Sequence, residues 1–214
     1  YNGLVIIDAI ASGNVWLNMK ELDIDILLTA PQKGLSAHAG CAILLLNETA
    51  RNRLPETKSA SLSLDLREWM KVMEWFEGRD FAYHTTLPTD VLLSLRDSLR
   101  EIVKYGINEA KESQQEMGRT IRGVLEERGF ASVAAEGFEA PSVVVHFADD
   151  PAGMVKHFSE QQLRIAGALP FMLENAEKPK TFRIGLLGLE KIKQKEKTTL
   201  LIKETIERLT HYSK

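Results

Sequence analysis

Three short runs of apolar residues lie in the first 50 positions of the chain, at 4–7, 26–29 and 42–46. Each run is rich in branched aliphatic side chains and does not alternate with polar residues. Strands that are buried on both faces, as in parallel sheets, have this pattern. The N-terminal part therefore predicts three buried strands of an α/β sheet.

The middle of the chain changes to helical periodicity. Apolar residues recur at helical spacing in three segments, at 62–76, 88–103 and 107–128. Gly106 separates the second segment from the third, and a glycine at this place is typical of a helix end. The sequence therefore predicts three helices, and it places the domain boundary at this break, between residues 1–105 and 106–214.

The last third of the chain mixes both patterns. It predicts strands at 142–147 and 181–187 and helices at 149–164 and 198–212. This mixture is typical of a small α+β domain. The basic run at 191–197 is interpreted as a solvated helix face, because such runs more often lie in solvent than on a ligand.

Composition narrows the possible partners. The chain has 214 residues, and its 27 basic and 30 acidic side chains give a net charge of −3. Without a strong positive field, neither nucleic acid nor an anionic membrane is an expected partner. The lone Cys41 allows no internal disulfide and no cysteine-based metal site, so a cytoplasmic setting without a metal is expected. The chain starts at Tyr1 without Met and is expected to be part of a longer protein.

Two charged residues carry the candidate chemistry. Asp8 ends the first predicted strand, and Lys33 follows the second across a short loop. Ligands of open α/β sheets bind beyond the carboxyl ends of strands, so both side chains are expected at the same edge. Alone, each is more often a structural ion pair or a cap. Together they suit pyridoxal phosphate, which needs a lysine amine for a Schiff base and a carboxylate beside its ring nitrogen.

Four segments then carry a family resemblance: DAIAS at 8–12, PQKGLSA at 31–37, YHTTLP at 83–88 and FRIGLLG at 182–188. In this order they resemble class V aminotransferases, which are fold-type I pyridoxal-phosphate enzymes. The alanine/serine:glyoxylate (pyruvate) aminotransferase branch is the most similar. The resemblance implies the C-terminal part of the large α/β domain followed by a small C-terminal α+β domain. Half of the large domain is then expected upstream, and full activity is not expected from this chain alone.

The resemblance implies roles for the residues around the cofactor. Lys33 is expected to form the internal aldimine and then to act as the base that moves the substrate proton. Asp8 is expected to pair with the pyridine nitrogen, and Ile10 to pack on one face of the ring. Gln32 is expected near the ring hydroxyl and the phosphate.

Three further residues match positions that bind phosphate or substrate in the family. Tyr83 and Thr86 match residues that reach the phosphate of the neighbouring subunit, which implies a homodimer with shared active sites. Arg183 matches the arginine that binds the substrate α-carboxylate through two parallel hydrogen bonds.

Several of these residues also have plainer interpretations. Tyr83 and Thr86 precede Pro88, and the local pattern without the resemblance favours a cap of the helix that follows. His38 and His84 lie near the expected pocket, but a lone histidine is more often structural. Cys41 is expected in a core strand as a small apolar side chain.

The resemblance implies transamination between a small amino acid and a 2-oxo acid such as glyoxylate or pyruvate. Transamination of a 2-aminoethylphosphonate-type substrate stays open. A lyase or desulfurase is disfavoured because Gln32 stands where that branch has histidine, and Cys41 is poorly placed. A non-catalytic scaffold is also possible but has no use for Lys33 beside a cofactor-shaped gap. The chain departs from the family pattern at Pro31, at His38 and over 165–180, which leaves the substrate open.

Overall fold

The computed structural model describes residues 3–167 and 180–209. Its strands are β1 (Ile6–Asp8), β2 (Ile26–Thr29), β3 (Ile43–Leu46), β4 (Val143–Phe147), β5 (Ala166–Gly167) and β6 (Thr181–Gly185). Its α-helices are α1 (Glu48–Arg53), α2 (Leu66–Glu77), α3 (Thr89–Tyr105), α4 (Ile107–Glu127), α5 (Pro151–Glu160), α6 (Leu189–Lys193) and α7 (Lys195–Glu207). None of these helices is both long and apolar enough to cross a membrane.

The first sheet contains β1, β2 and β3 in that order. Strands β1 and β2 are parallel, with Asp8 opposite Leu28, whereas β3 is antiparallel to β2. The carboxyl ends of β1 and β2 therefore lie side by side, and each leads into a loop at the same edge. The predicted strands at this end of the chain are present, and β2 has the predicted bounds.

The predicted burial of these strands is wrong. Leu27 is the one buried residue of the three strands, while Ile6 is 56% exposed and Leu45 is 50% exposed. Leu27 packs against Ala9 and Ile24, which belong to the segment between β1 and β2. An apolar run specifies which side chains can be buried, but burial also requires another element against each face of the sheet.

Helices α3 and α4 are separated by a single glycine. Gly106 has φ +108°, a left-handed conformation that side chains rarely adopt, and its N–H donates to Ile102 O at 2.9 Å. This confirms the predicted break between two helices. The domain boundary that the sequence places here stays a prediction.

The second sheet, β4–β6–β5, is antiparallel and has two different faces. One face is apolar and packs against α4, α5 and α7, forming the largest core of the described chain; from the sheet it contains Val144, Phe182 and Ile184. The opposite face contains Arg183, directly opposite Val145 of β4. The sheet therefore has a helix-covered side and a side that presents a guanidinium.

Some helix bounds differ from the predicted ones. Helix α5 ends at Glu160 rather than at 164, and α7 begins at Lys195 rather than at 198. Helix α7 also ends at Glu207 rather than at 212. The basic run at 191–197 spans α6 and the start of α7, where Lys193 and Lys195 pair with glutamates of α3 and α4 at 2.7 and 2.6 Å.

His146 is an unexpected polar group in the core of the second sheet. It is fully buried beside Phe182, and neither ring nitrogen has a hydrogen-bond partner in the described chain. Burial, with a smaller contribution from the Arg122 guanidinium, lowers the pKa of His146 to about 4. The folded protein therefore holds this imidazole neutral.

We predict that this burial makes stability fall with acidity. Between pH 6.5 and 4 the unfolded chain binds a proton at His146 that the folded chain does not bind. The free energy of unfolding should therefore decrease as pH falls through this window, by about 3 kcal/mol at its acid end. Urea unfolding at several pH values in this window measures the effect. The free energy of unfolding should decrease less in His146→Leu than in wild type, and as much as in wild type in His38→Ala. Equal slopes in wild type and His146→Leu would contradict the prediction.

Candidate active site

The loops that carry Asp8 and Lys33 touch through their backbones. A Cβ on Gly34 would lie 1.9 Å from the carbonyl oxygen of Gly13, so Gly34 is pressed against the loop that follows Asp8. A hydrogen bond from Ala9 N–H to Leu28 O, at 2.8 Å, continues the β1–β2 pairing up to this contact. The structure thus brings together the two segments that the sequence placed at one edge.

The loop that carries Lys33 is closed by its own backbone. Ala37 N–H donates to Pro31 O at 2.9 Å, and Ser36 N–H donates to Lys33 O at 3.1 Å. Pro31, Gly34 and Leu35 are buried, whereas Gln32 and Lys33 are exposed. Neither exposed side chain bonds to another described residue. The loop therefore presents a free amine from a fixed backbone.

The Asp8 carboxylate is oriented by the next turn of chain. Its Oδ1 accepts the N–H of Ile10 at 2.9 Å, which leaves Oδ2 without a partner among residues 3–167 and 180–209. Ile10 is half-buried just beyond it. A carboxylate oxygen and an apolar side chain are therefore available on the same short loop.

The strand that carries Arg183 leads into the same contact. Ser142 Oγ donates to Ala11 O at 2.9 Å, and Leu186 N–H donates to Ser142 O at 2.8 Å. Arg183 lies three residues before Leu186, roughly 10 Å along an extended chain. Arg183 is half-buried, and its side chain makes no ion pair or hydrogen bond within the described residues. The strand that carries this cationic group is thus joined to the loop that follows Asp8.

Tyr83 and Thr86 bond to each other rather than to a helix. Tyr83 Oη and Thr86 Oγ1 are 3.2 Å apart, and Tyr83 is 70% exposed. Neither side chain caps α3, whose N-cap is Pro88 and has no side-chain cap bond. The alternative that these residues only start the helix is therefore wrong, and their hydroxyls form an exposed pair.

The two histidines near the site have no contact with Asp8 or Lys33. His84 Nε2 is 2.7 Å from Leu62 O, and its ring lies edge-on against Trp69 at 5.3 Å. His38 has an exposed side chain, and its backbone N–H donates to Ser94 Oγ at 3.2 Å. His84 therefore anchors the segment that bears Tyr83, which agrees with the structural alternative.

Cys41 lies just before β3 and is half-buried. Burial raises the pKa of its thiol, which keeps the thiol in its less reactive protonated form. No group of three or more metal-ligating side chains occurs in the described chain. Cys41 is thus not in a core strand, as the sequence predicts, and its thiol is not activated.

Sequence reasoning missed the residues that fix this geometry. Gly13 and Gly34 allow the backbone contact, Ser98 donates to the carbonyl of Leu35, and Ser36 accepts a hydrogen bond from Leu189 N–H at 2.5 Å. The one local signal was the glycine directly after the lysine. The two serines gave none, because their partners are 63 and 153 residues away in sequence.

Comparison with known proteins places this arrangement in context. No protein-family model matches the chain. An alanine–glyoxylate aminotransferase from Felis catus is 29% identical over 202 residues, covering 88% of this chain and 46% of the relative. The class V resemblance is confirmed. The chain spans about half the length of the curated relatives it matches.

Solved structures agree in fold. An alanine–glyoxylate aminotransferase from Nostoc superposes with a TM-score of 0.81 at 20% identity, over 97% of this chain and 54% of that protein. A ureidoglycine–glyoxylate aminotransferase from Bacillus subtilis gives 0.78, also at 20% identity, over 96% and 52%. The predicted fold, that of fold-type I aminotransferases, is therefore confirmed. The departure from the class V pattern at 165–180 falls mostly on 168–179, outside the described residues.

We predict that the Gly13–Gly34 contact does not tolerate a side chain. A methyl group at residue 34 would overlap the Gly13 carbonyl, so Gly34→Ala should destabilise the protein by about 2 kcal/mol or more. Gly123→Ala in α4 is the matched control, because nothing lies within 4 Å of its added methyl group and stability should stay equal or rise. Urea unfolding gives both values. Equal stability of the two variants would contradict the prediction.

Proposed function

We propose that this chain is the part of an aminotransferase that carries the catalytic lysine. The reaction is transamination between a small amino acid, such as alanine or serine, and a 2-oxo acid such as glyoxylate or pyruvate. The observation that supports it most is the backbone contact that joins the Lys33 loop to the Asp8 loop. The similarity to alanine–glyoxylate aminotransferases supports the reaction class.

The side chains at this contact fit pyridoxal 5′-phosphate. The cofactor requires an amine for its aldehyde, a carboxylate for its ring nitrogen and an apolar side chain for its ring face. Within the described residues, Lys33 offers an exposed amine without a partner, Asp8 a carboxylate with a free oxygen, and Ile10 a half-buried apolar side chain. When bound, the cofactor supplies an electron sink that stabilises negative charge at the substrate α-carbon. Asp8 would hold the ring nitrogen protonated, Ile10 would pack on the ring, and Gln32 would bond on the ring-hydroxyl and phosphate side.

Lys33 is the proposed catalytic base. Its Nζ would hold the cofactor and, once released by the substrate amine, take the proton from the substrate α-carbon. The loop favours this role because its backbone is closed by two hydrogen bonds and its neighbours Gly34 and Leu35 are buried. The backbone from which the lysine extends is then already ordered before the amine is used, so only side-chain freedom remains to be lost.

Arg183 is the proposed carboxylate ligand. Arg183 is half-buried and has no anionic partner in the described chain, and a substrate carboxylate would supply one through two parallel hydrogen bonds. This pairing selects amino acids and 2-oxo acids over amines. It also orients the α-carbon, because carboxylate and α-carbon are directly bonded.

Tyr83 and Thr86 are proposed to bind the phosphate of the cofactor in a second subunit. Their hydroxyls are 3.2 Å apart and exposed, so both can turn to one phosphate group. His84 holds their segment against Leu62 and Trp69. The functional unit would then be a homodimer with shared active sites, because the exposed pair serves a site on the other protomer.

We predict that borohydride reduction of the full-length protein with pyridoxal phosphate fixes the cofactor covalently on Lys33. The Lys33 amine is exposed and makes no bond to another described residue, so it is available for this bond. Peptide mass spectrometry should locate the adduct at Lys33, and Lys33→Ala should lose both the adduct and transamination. Lys20→Ala, an exposed lysine outside the site, is the control and should retain both. An adduct at another lysine in wild type would refute the proposal.

We predict that Arg183→Lys weakens substrate binding more than turnover. Lysine keeps the charge but loses the planar pair of donors, which should cost about 1.5 to 3 kcal/mol of carboxylate binding and raise KM accordingly. Steady-state kinetics with several amino acids and 2-oxo acids measure the effect. Arg119→Lys on the exposed side of α4 is the control. An unchanged KM for every substrate would show that Arg183 does not bind the carboxylate.

A further inference from the structure

We infer that Ser36 is a positioning residue that sets the separation between Lys33 and Arg183. The inference rests on the proposed function, since it concerns the amine and the guanidinium assigned there. Ser36 lies three residues after Lys33, and its Oγ accepts the N–H of Leu189 at 2.5 Å. Leu189 begins α6, six residues after Arg183.

The backbone conformation of Ser36 supports this positioning role. Its φ is +59°, in the left-handed region where serine is uncommon and glycine has no penalty. A residue other than glycine at such a position has a conformational cost, and the side chain is then expected to supply an interaction that offsets it. The hydrogen bond to Leu189 is that interaction.

Leu189 is joined to the lysine loop by packing as well. It forms a buried apolar cluster with Leu35 and Ile102, and Ser98 donates to the carbonyl of Leu35. The three residues after Lys33 are thus all held: Gly34 by the Gly13 backbone, Leu35 by the cluster, and Ser36 by α6. Of these contacts, the Ser36 bond is the polar one to the segment that continues from Arg183.

This bond matters for the choice of substrate. In a 2-amino acid the carboxylate is attached to the carbon whose proton Lys33 would take, so Lys33 and the carboxylate ligand Arg183 must be a fixed distance apart. A misplacement of about 1 Å between reacting groups can reduce rates by one to two orders of magnitude. If the separation between Lys33 and Arg183 is loosened, the enzyme should therefore discriminate less against amino acids whose amine is one carbon further from the carboxylate.

The test compares Ser36→Gly and Ser36→Asn with Glu101→Gln in the full-length protein. Glycine accepts the positive φ but lacks the hydroxyl, whereas asparagine tolerates that φ and offers a carbonyl oxygen to Leu189 N–H. Glu101→Gln breaks the 2.7 Å ion pair between Lys193 of α6 and α3, and leaves the Ser36 bond intact. It is thus the control for a general loosening of α6.

The readouts are amide hydrogen exchange of the cofactor-free protein and the ratio of kcat/KM for L-alanine over β-alanine. Ser36→Gly should speed exchange in peptides covering 33–37 and 189 and should lower the ratio about tenfold. Ser36→Asn should restore much of the ratio, and Glu101→Gln should leave it unchanged. A wild-type ratio in Ser36→Gly, or an equal decrease in Glu101→Gln, would overturn the inference. If either result occurs and wild type also gives no borohydride adduct at Lys33, the proposed function is contradicted as well. If wild type gives the adduct, only the positioning role of Ser36 is contradicted.

Discussion

The contact of Gly34 with the carbonyl of Gly13 is the constraint on which the candidate site depends. The loop after β1 and the loop after β2 meet at backbone distance, which is closer than any pair of side chains would permit. The backbone positions from which the Lys33 and Asp8 side chains extend are therefore fixed by the main chain. Because the parallel pairing of β1 and β2 fixes the direction of both loops, this backbone arrangement does not require a ligand.

The same joint also relates the first sheet to the second. Ser142 accepts the N–H of Leu186 and bonds to the loop after Asp8, whereas Leu189 bonds to the loop after Lys33. The segment that follows Arg183 is therefore joined to both loops. Lys193 and Lys195 of the same region have glutamate partners, whereas Lys33 and Arg183 have none in the described chain and are available to a ligand.

Much of the local structure was predictable from the sequence. The bounds of β2 and the break at Gly106 follow from apolar runs and from a glycine, which act over a few residues. Helix α1 was missed because it has only six residues and no apolar periodicity, although Asn47 caps its start by accepting the N–H of Ala50 at 2.9 Å. Exposure of Ile6 could not be predicted, because apolar character does not show which element covers it.

The sequence by itself determined the secondary-structure periods, the ends of the strands predicted at 26–29, 42–46 and 142–147, and the presence of an amine and a carboxylate at the ends of neighbouring strands. These are local properties, set by residue type and spacing. Tertiary structure alone decided that Gly13 supports Gly34, that Ser36 reaches Leu189, and that Tyr83 pairs with Thr86 instead of capping α3. Such contacts depend on the three-dimensional path of the chain, and several join residues far apart in sequence, so no local pattern records them.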